Sequence, residues 1–168
     1  YDRILNENAT LSAGLYYQHL YDVPVNGTFS MINAEQVWTL DDTLFAKGQG
    51  RNYGIELTVE RKLSSGWYFM ANGAVFRSEF LAEDNVWRNS AYDRKFTLNA
   101  LGGKEWSCGK EDKNLFSINT RVSWSGGMYF TPPDIDASLA SGMLIDDETK
   151  LYSEQAPDMA VVSLSVNY

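Results

Sequence analysis

Apolar and polar side chains alternate without interruption over residues 114–124. One row of this segment holds Phe116, Ile118, Thr120, Val122 and Trp124, and the other holds Ser117, Asn119, Arg121 and Ser123. Because successive side chains of a strand point to opposite faces of a sheet, this pattern predicts a β-strand with one apolar and one polar face. In a soluble sandwich the polar face meets solvent, whereas in a transmembrane barrel it meets a wet lumen.

Similar patterns predict strands at residues 9–22, 50–63, 91–106 and 159–168. In the second of these segments, Ile55, Leu57 and Val59 alternate with Glu56, Thr58 and Glu60. The segment at residues 66–80 is apolar on both parities at its start, although Tyr68, Asn72 and Ser78 make its even-numbered row the more polar one. With a short strand at residues 1–5, we predict about six or seven strands and an all-β fold.

The connections between these segments alternate in length. Short turns at residues 6–8, 64–66 and 108–113 alternate with longer connections at residues 23–48, 81–90 and 131–158. In a meander this sorting places every tight turn at one end of the sheet, which is typical of outer-membrane barrels and is not required in a sandwich. Strands of about 10 to 15 residues are also long enough to cross a bilayer. We therefore predict an antiparallel up-and-down meander that forms part of a transmembrane β-barrel.

Aromatic side chains concentrate towards the predicted strand ends. They are Tyr16, Tyr17, Tyr21, Trp67, Tyr92, Trp106, Trp124, Tyr129 and Phe130. Rings at strand ends suit the interfacial girdles of a membrane barrel. No run of about 18 apolar residues could cross a bilayer as a helix, so membrane contact requires strands. With the apolar rows on lipid, the residues expected to face the lumen are Glu56, Thr58, Glu60, Lys95, Asn99, Asn119, Arg121 and Ser163.

Composition narrows the range of functions. The chain has 14 Lys and Arg against 22 Asp and Glu, and this net charge of −8 argues against a nucleic-acid partner, which needs clustered cations. A single cysteine, Cys108, and a single histidine, His19, leave no cysteine zinc site and no nucleophilic triad. Glu56 and Glu60 share one face, but we interpret them as polar wall rather than as a glycosidase pair. We expect no enzymatic activity, no cofactor and no metal centre.

Three blocks of the sequence resemble the barrel domain of TonB-dependent outer-membrane receptors of the type common in Bacteroidetes. They are GQGRNYGIELTVERKLSSGWYFMANGAVFRSEF, VWRNSAYDRKFTLNALGGKEW, and SGGMYFTPPDIDAS followed by YSEQAPDMAVVSLSVNY. The likeness extends from about residue 9 onwards, in the family's order of blocks. Within these blocks we expect Gly50 and Gly54 to let strands approach where the sheet bends. We expect Gly102 and Gly103 to allow a kink or bulge.

The resemblance implies a barrel of about 22 strands with a plugged lumen. Such a receptor takes up a scarce nutrient, such as a siderophore or other iron chelate, or cobalamin, with energy relayed by TonB. On this basis residues 1–168 form one partial barrel domain, without the plug and without the last strands. The implied partners are outer-membrane lipid, the remainder of the receptor including its plug, TonB through that plug, and the nutrient ligand. The implied location is the bacterial outer membrane.

Ligand contacts in the resembling receptors come from the outer loops and the plug. In this chain the corresponding candidates are Trp38, Asp41, Asp42, Trp87, Arg88, Asp134, Asp136, Asp146 and Asp147. The alternative interpretation is that the acidic loops are solvated or bind divalent ions between lipid headgroups. The stretches DDETK and DIDAS lack the ligand spacing of a calcium loop.

Two other classes of protein fit parts of the pattern. A soluble lipocalin-like β-barrel that carries a small apolar ligand would reverse the facing of Arg121 and Ser163, and SGWYF is faintly similar to its Gly-Trp entry. A complete small outer-membrane barrel would need about eight strands in a closed ring. We expect instead that the outer edge of residues 161–168 has no strand partner within this chain.

The alternation over residues 114–124 gives a direct test of lipid facing. Val122→Arg should destabilise the protein by about 2–4 kcal/mol if residue 122 lies near the bilayer midplane, whereas Ser123→Arg on the polar row should be mild. The free energy of unfolding of each variant, measured by denaturant titration of the protein refolded into lipid, distinguishes the two faces. Equal costs for the two variants would contradict the assignment.

Overall fold

The computed structural model describes residues 1–33 and 43–168, and these ranges hold eleven β-strands and one α-helix. The strands are β1 (Asp2–Asn6), β2 (Ala9–Asn26), β3 (Phe29–Ser30), β4 (Phe45–Ser64), β5 (Trp67–Leu81), β6 (Trp87–Asn89), β7 (Phe96–Cys108), β8 (Asn114–Ser125), β9 (Tyr129–Phe130), β10 (Glu154–Gln155) and β11 (Met159–Asn167). Helix α1 (Ile135–Ser141) and three single-turn 3-10 helices (Met31–Asn33, Lys110–Asp112 and Glu148–Lys150) lie in the connections. No helix within the described ranges is long and apolar enough to cross a membrane.

The long strands form one antiparallel meander. Its order is β1-β2-β4-β5-β7-β8-β11, with β3 paired to β2 and β6 paired to β5, while β9 and β10 form a separate two-stranded ribbon. The sheet is open: β1 and β11 are its margins, and β11 pairs with β8 alone. The predicted all-β antiparallel meander is confirmed, and the outer edge of β11 has no strand partner among the described residues.

Tight turns and long connections lie at opposite ends of the sheet. The tight turns follow β1, β4 and β7, and the longer connections follow β2, β5 and β8. The β4–β5 hairpin turns at Ser65 and Gly66, whose φ angles of 53° and 75° are the left-handed pair that a two-residue hairpin requires. The predicted sorting of connections therefore holds, and we refer below to the tight-turn end and the long-connection end.

Strands β2 and β4 extend further than the alternation indicated. The connection expected over residues 23–48 is shorter, because β2 continues to Asn26 and β4 begins at Phe45. The pairing register shifts between Leu20 and Val23 and again between Val23 and Pro24, after which pairing continues to Val25. Because a bulge breaks the period of two, the pattern becomes unreadable there although the strand continues.

The buried core is small and lies at the long-connection end. Val25, Phe80 and Ala82 are almost completely buried together. The Tyr152 ring packs edge-on against Phe80, with ring centroids 5.6 Å apart. Gly48 permits this packing, because a Cβ at that position would lie 2.3 Å from Val25 Cγ1. Much of the remaining apolar surface of the sheet is exposed.

We expected Gly102 and Gly103 to allow a kink or bulge, and no bulge occurs there. Strand β7 pairs with β5 and with β8 in unbroken register through both glycines. A Cβ at residue 103 would lie 2.2 Å from Asn119 Oδ1 and 2.8 Å from Tyr68 Cε1. Tyr68 OH donates a hydrogen bond to Asn119 Oδ1 at 2.8 Å. Glycine at residue 103 therefore makes room for two side chains that meet across the strand.

The pairing register divides the sheet into an apolar face and a polar face. Directly paired residues share a face, so Ala13, Leu57, Gly73, Leu98 and Trp124 form one row, and Ser12, Thr58, Asn72, Asn99 and Ser123 form the row beside it on the opposite face. The even-numbered row of β5 lies on the polar face, as its hydrophilic residues indicated. The two faces of β5, which the sequence pattern left ambiguous, are thus fixed by its neighbours.

Gly126→Ala should destabilise the protein, because a Cβ there would lie 1.9 Å from the Arg94 carbonyl oxygen. A clash with backbone cannot be relieved by a rotamer change, and we expect a cost of about 1–3 kcal/mol. Denaturant unfolding of the protein measures it. The matched control is Gly14→Ala, whose Cβ meets no atom within 4 Å and which should change stability by less than about 0.5 kcal/mol. Similar values for both variants would contradict the close approach at residue 126.

Candidate functional site

The polar face carries a ladder of amides and hydroxyls. Asn99 Nδ2 donates to Asn72 Oδ1 at 3.2 Å, and Ser123 Oγ donates to Asn99 Oδ1 at 2.9 Å. The register places seven of the eight residues expected to face a lumen on this face: Glu56, Thr58, Glu60, Asn99, Asn119, Arg121 and Ser163. The face is therefore hydrophilic over most of its width.

Lys95 does not continue the polar row of β7. The strand begins at Phe96, and Lys95 precedes it with a left-handed φ of 65°. The Lys95 Nζ lies 5.3 Å from the centroid of the Tyr129 ring, which is a cation–π contact. Alternation assigns faces only within regular strand, and Lys95 lies just outside it.

The apolar face changes character along the strands. One aliphatic row holds Leu15, Ile55, Val75 and Phe96, the next row towards the long-connection end holds Tyr17, Tyr53 and Arg77, and the row beyond holds His19, Arg51 and Glu79. Near the tight-turn end, the guanidinium of Arg61 lies 4.2 Å from the Trp67 ring centroid, and Lys104 Nζ lies 5.9 Å from that of Trp106. An aliphatic band is thus bordered at both ends by rings and charges.

Arg51 organises the charged row beyond the band. Its Nε donates to Glu79 Oε2 at 2.8 Å, and Tyr53 OH donates to the same oxygen at 3.2 Å. Its guanidinium also lies 4.2 Å from the centroid of the Trp87 ring. Trp87, which the resemblance implied as a ligand contact, is therefore the stacking partner of an arginine.

Arg77 stabilises the connection between β5 and β7. Its Nε donates at 2.9 Å to Oδ2 of Asp93, whose side chain is completely buried. Its Nη2 donates at 2.7 Å to Asn89 Oδ1. Because a buried carboxylate needs a cation or hydrogen-bond donors, this pair fixes the connection to the end of the sheet.

A cavity of about 400 Å³ opens on the polar face near the long-connection end. Gln18, Asn52 and Ser78 are directly paired across β2, β4 and β5, and they form a polar row within the lining. The other lining residues are the acidic Glu79 and five apolar or aromatic side chains: Tyr16, Leu20, Ile32, Phe76 and Tyr92. We call this cavity the Asn52 pocket.

Two connections meet beside the Asn52 pocket. Ser90 Oγ donates to Ser78 Oγ at 2.8 Å and accepts a hydrogen bond from Tyr92 N at 3.2 Å, so Tyr92 is tied to the sheet. Ala91 N donates to Asn33 Oδ1 at 2.9 Å, which joins the β5–β7 connection to the residues that follow β3. Two lining residues, Ile32 and Tyr92, are held next to this hydrogen bond.

Gly50 and Gly54, on either side of Asn52, leave the space that the Asn52 pocket occupies. A Cβ at Gly54 would lie 2.7 Å from Phe76 Cβ and 3.0 Å from the Tyr16 hydroxyl oxygen. A Cβ at Gly50 would lie 2.6 Å from Ile32 Cδ1. These glycines therefore let neighbouring side chains lie over β4, in addition to any effect on the bend of the sheet.

The predicted ligand residues of the β5–β7 connection make bonds within the chain. Arg88 Nη2 and Nη1 donate to the two carboxylate oxygens of Asp84 at 2.5 Å and 3.0 Å. This pair lowers the pKa of Asp84, with hydrogen bonding to Arg88 as the main cause. Arg88 and Trp87 thus lie together in β6 and already have partners.

The predicted acidic ligands of the β8–β11 connection divide into two groups. Asp134 caps α1 by accepting from Ala137 N at 3.0 Å. Asp147 accepts from Thr149 N and from Lys150 Nζ, and mainly the Lys150 interaction lowers its pKa to about 2. Asp136 and Asp146 are exposed, and no side-chain bond forms from either to another described residue. Trp38, Asp41 and Asp42 lie outside the described residues.

Sequence reasoning did not identify the residues of the Asn52 pocket as a site. The readable signal was Gly50-Arg-Asn-Tyr-Gly54, because two glycines on the same strand face flank an amide. Within residues 1–33 and 43–168, no group of three or more His, Cys, Asp or Glu residues could hold a metal ion.

Comparison with known proteins found no matching family model, no matching curated protein and no matching solved structure. The resemblance to TonB-dependent receptors therefore stays a prediction from the sequence blocks.

Arg77→Met should destabilise the protein by about 3 kcal/mol, because it leaves the buried Asp93 carboxylate without its cation. Denaturant unfolding of the full-length protein measures the loss. Lys47→Met is the control: its ion pair with Glu83 is exposed, so the change should be under about 1 kcal/mol. Adding Asp93→Asn to Arg77→Met should restore part of the stability, and no restoration would contradict a charge-based cause.

Proposed function

We propose that this chain forms part of the β-barrel of a TonB-dependent outer-membrane transporter, which takes up a scarce nutrient such as an iron chelate or cobalamin. The observation that carries the proposal is the exposure of the aliphatic rows: Leu15 is 81% exposed, Val75 68% and Val162 70%. Apolar surface gains about 25 cal/mol per Å² on leaving water, and wide apolar patches are uncommon on soluble monomers. Lipid is a partner that fits a face of this extent.

The height of the aliphatic band supports the same assignment. On β5 it lies between Trp67 and Arg77, ten residue steps apart, which is about 33 Å along a strand. With the tilt of about 35–45° found in membrane barrels, this length corresponds to roughly 25 Å along the membrane normal, the usual height of the lipid-facing band. The bordering rings of Tyr53 and Trp67 then lie at the two interfaces.

The shape of the apolar face suits flexible acyl chains. A groove of about 680 Å³ runs over Gly73 between larger side chains that include Leu57, Leu98 and Trp124. Its walls are almost entirely apolar, so water in it would lack hydrogen-bond partners. A lipid chain fills such a groove without any polar requirement.

The open margins support membership in a larger barrel. In hydrocarbon each unpaired backbone N–H or C=O costs several kcal/mol, so β1 and β11 need further strands beside them. We assign these strands to the remainder of the same receptor, whose plug fills the lumen and contacts TonB. The proposed location is the bacterial outer membrane, and the proposed role is transport without enzymatic activity.

The two alternative classes fit the geometry less well. A lipocalin-like carrier needs a closed ring around an apolar interior, and a complete small membrane barrel needs about eight closed strands. Within the described residues the sheet is open, and its apolar face encloses no interior but lies exposed.

Site-directed labelling tests the proposal. In the full-length protein with its native cysteines replaced by serine, a bimane fluorophore is attached at Val162→Cys or at Ser163→Cys. The label at residue 162 should be quenched by lipids brominated on their acyl chains, because Val162 lies on the apolar face. The label at residue 163 should be quenched by aqueous iodide instead.

Two outcomes would contradict the proposal. Iodide quenching at both positions indicates a protein in water, as for a soluble carrier. Lipid quenching at residue 163 alone indicates the reverse facing of β11.

A further inference from the structure

We propose that the Asn52 pocket binds a neutral, hydroxyl-rich ring, such as one sugar residue of an oligosaccharide. This inference rests on the proposed function, because it makes the pocket a substrate site of the transporter. It narrows the substrate class from any scarce nutrient to a neutral carbohydrate.

Exposed aromatic rings are the first observation that supports it. Tyr16 is 38% exposed and Tyr92 is 47% exposed, although both lie on the hydrophilic side of the sheet beside the pocket. The negative face of an aromatic ring attracts weakly positive C–H groups. The C–H face of a sugar ring offers such groups.

The polar row supplies the second observation. Asn52 Nδ2 donates to Gln18 Oε1 at 3.0 Å, which leaves a donor on Gln18 Nε2 and an acceptor on Asn52 Oδ1 without another partner among the described residues. Ser78 adds a hydroxyl beside them. A sugar hydroxyl both donates and accepts hydrogen bonds, so it can accept from the Gln18 amide and donate to the Asn52 amide oxygen.

Charge argues against an anionic substrate at this position. The described lining contains no cationic side chain, and its only acidic residue is Glu79. The Glu79 carboxylate is bound to Arg51 and Tyr53, which belong to the opposite face of the sheet. A multiply charged iron chelate needs cations or a dense set of donors.

The pocket is formed before any ligand arrives. Tyr92 and Ile32 are fixed by the bonds of Ser90 and Asn33, and Gly54 leaves room for Tyr16 over β4. A preformed site loses less conformational entropy on binding. Such a site suits a rigid ring.

The experiment screens the full-length protein, purified in detergent, on an array of neutral oligosaccharides. Ferric catecholate, ferric hydroxamate and cobalamin are included as competing probes. At least one neutral oligosaccharide should be retained, and Tyr16→Ala should weaken its binding by about tenfold or more. Asn52→Leu should weaken it by about tenfold, because it removes the amide and keeps the volume. Tyr16→Phe keeps the ring and should retain most of the affinity.

The matched controls replace a tyrosine and an asparagine that lie outside the Asn52 pocket. Tyr168→Ala and Asn114→Leu both lie at the tight-turn end of the sheet, where the two side chains bond each other, so both variants should bind as the parent protein does. Heat-modifiable mobility in electrophoresis verifies that each variant is folded. If Tyr16→Ala does not fold, the test compares the affinity of Asn52→Leu, which should fall about tenfold, with that of Tyr16→Phe, which should be mostly retained.

Three results would overturn the inference: no array member is retained, only the iron complexes or cobalamin bind, or folded Asn52→Leu binds like the parent. If the bimane label at residue 162 still reports lipid, these results remove the carbohydrate assignment and leave the transporter proposal standing. If that label reports water, the transporter proposal itself fails.

Discussion

The register of strand pairing is the constraint on which both faces of the molecule depend. In a sheet with a period of two, a slip by one residue would exchange the apolar and the polar face of a strand. The hairpin at Ser65 and Gly66 fixes one such register, since Ser64 pairs directly with Trp67. The register shifts once between Ser64 and Arg61, and from Arg61 and Phe69 the pairing continues in step along β4 and β5 to the other end of the sheet. The alignment of Asn52 with Ser78 near the long-connection end thus depends on the two-residue turn and on the register shift beside it, both at the opposite end of the sheet.

Information that is local in the sequence predicted the middle of each strand, the tight turns and the division into faces. Alternation reports which residues share a face, and residues such as Ser65-Gly66 report where the chain reverses. Interactions between segments that are far apart in the sequence could not be predicted from these local patterns. The bulge after Leu20 interrupts the alternation, so the ends of β2 and β4 were not recognised. Gly103 on β7 makes room for Tyr68 on β5 and Asn119 on β8, an arrangement that involves three strands.

The acidic loop residues show a second reason why the site was harder to predict than the fold. A carboxylate can bind a ligand or satisfy the backbone of its own loop, and composition alone does not distinguish the two uses. Asp134 and Asp147 cap short helices, which the preference of aspartate for N-cap positions could have indicated. The aromatic and amide residues of the Asn52 pocket come from three strands and one connection, so no single segment of sequence displays them.

The hydrogen bond between Ala91 N and Asn33 Oδ1 holds the shape of the Asn52 pocket, and it would also affect how long a ligand stays there. A single such bond contributes about 1 kcal/mol net, which favours the closed arrangement of two connections roughly fivefold over an open one. A ligand bound beneath Tyr92, as proposed above, would add its own contacts to that preference. Its residence time would increase as separation of the two connections becomes rarer, and Asn33 is one of the residues that hold them together, beside Ser90.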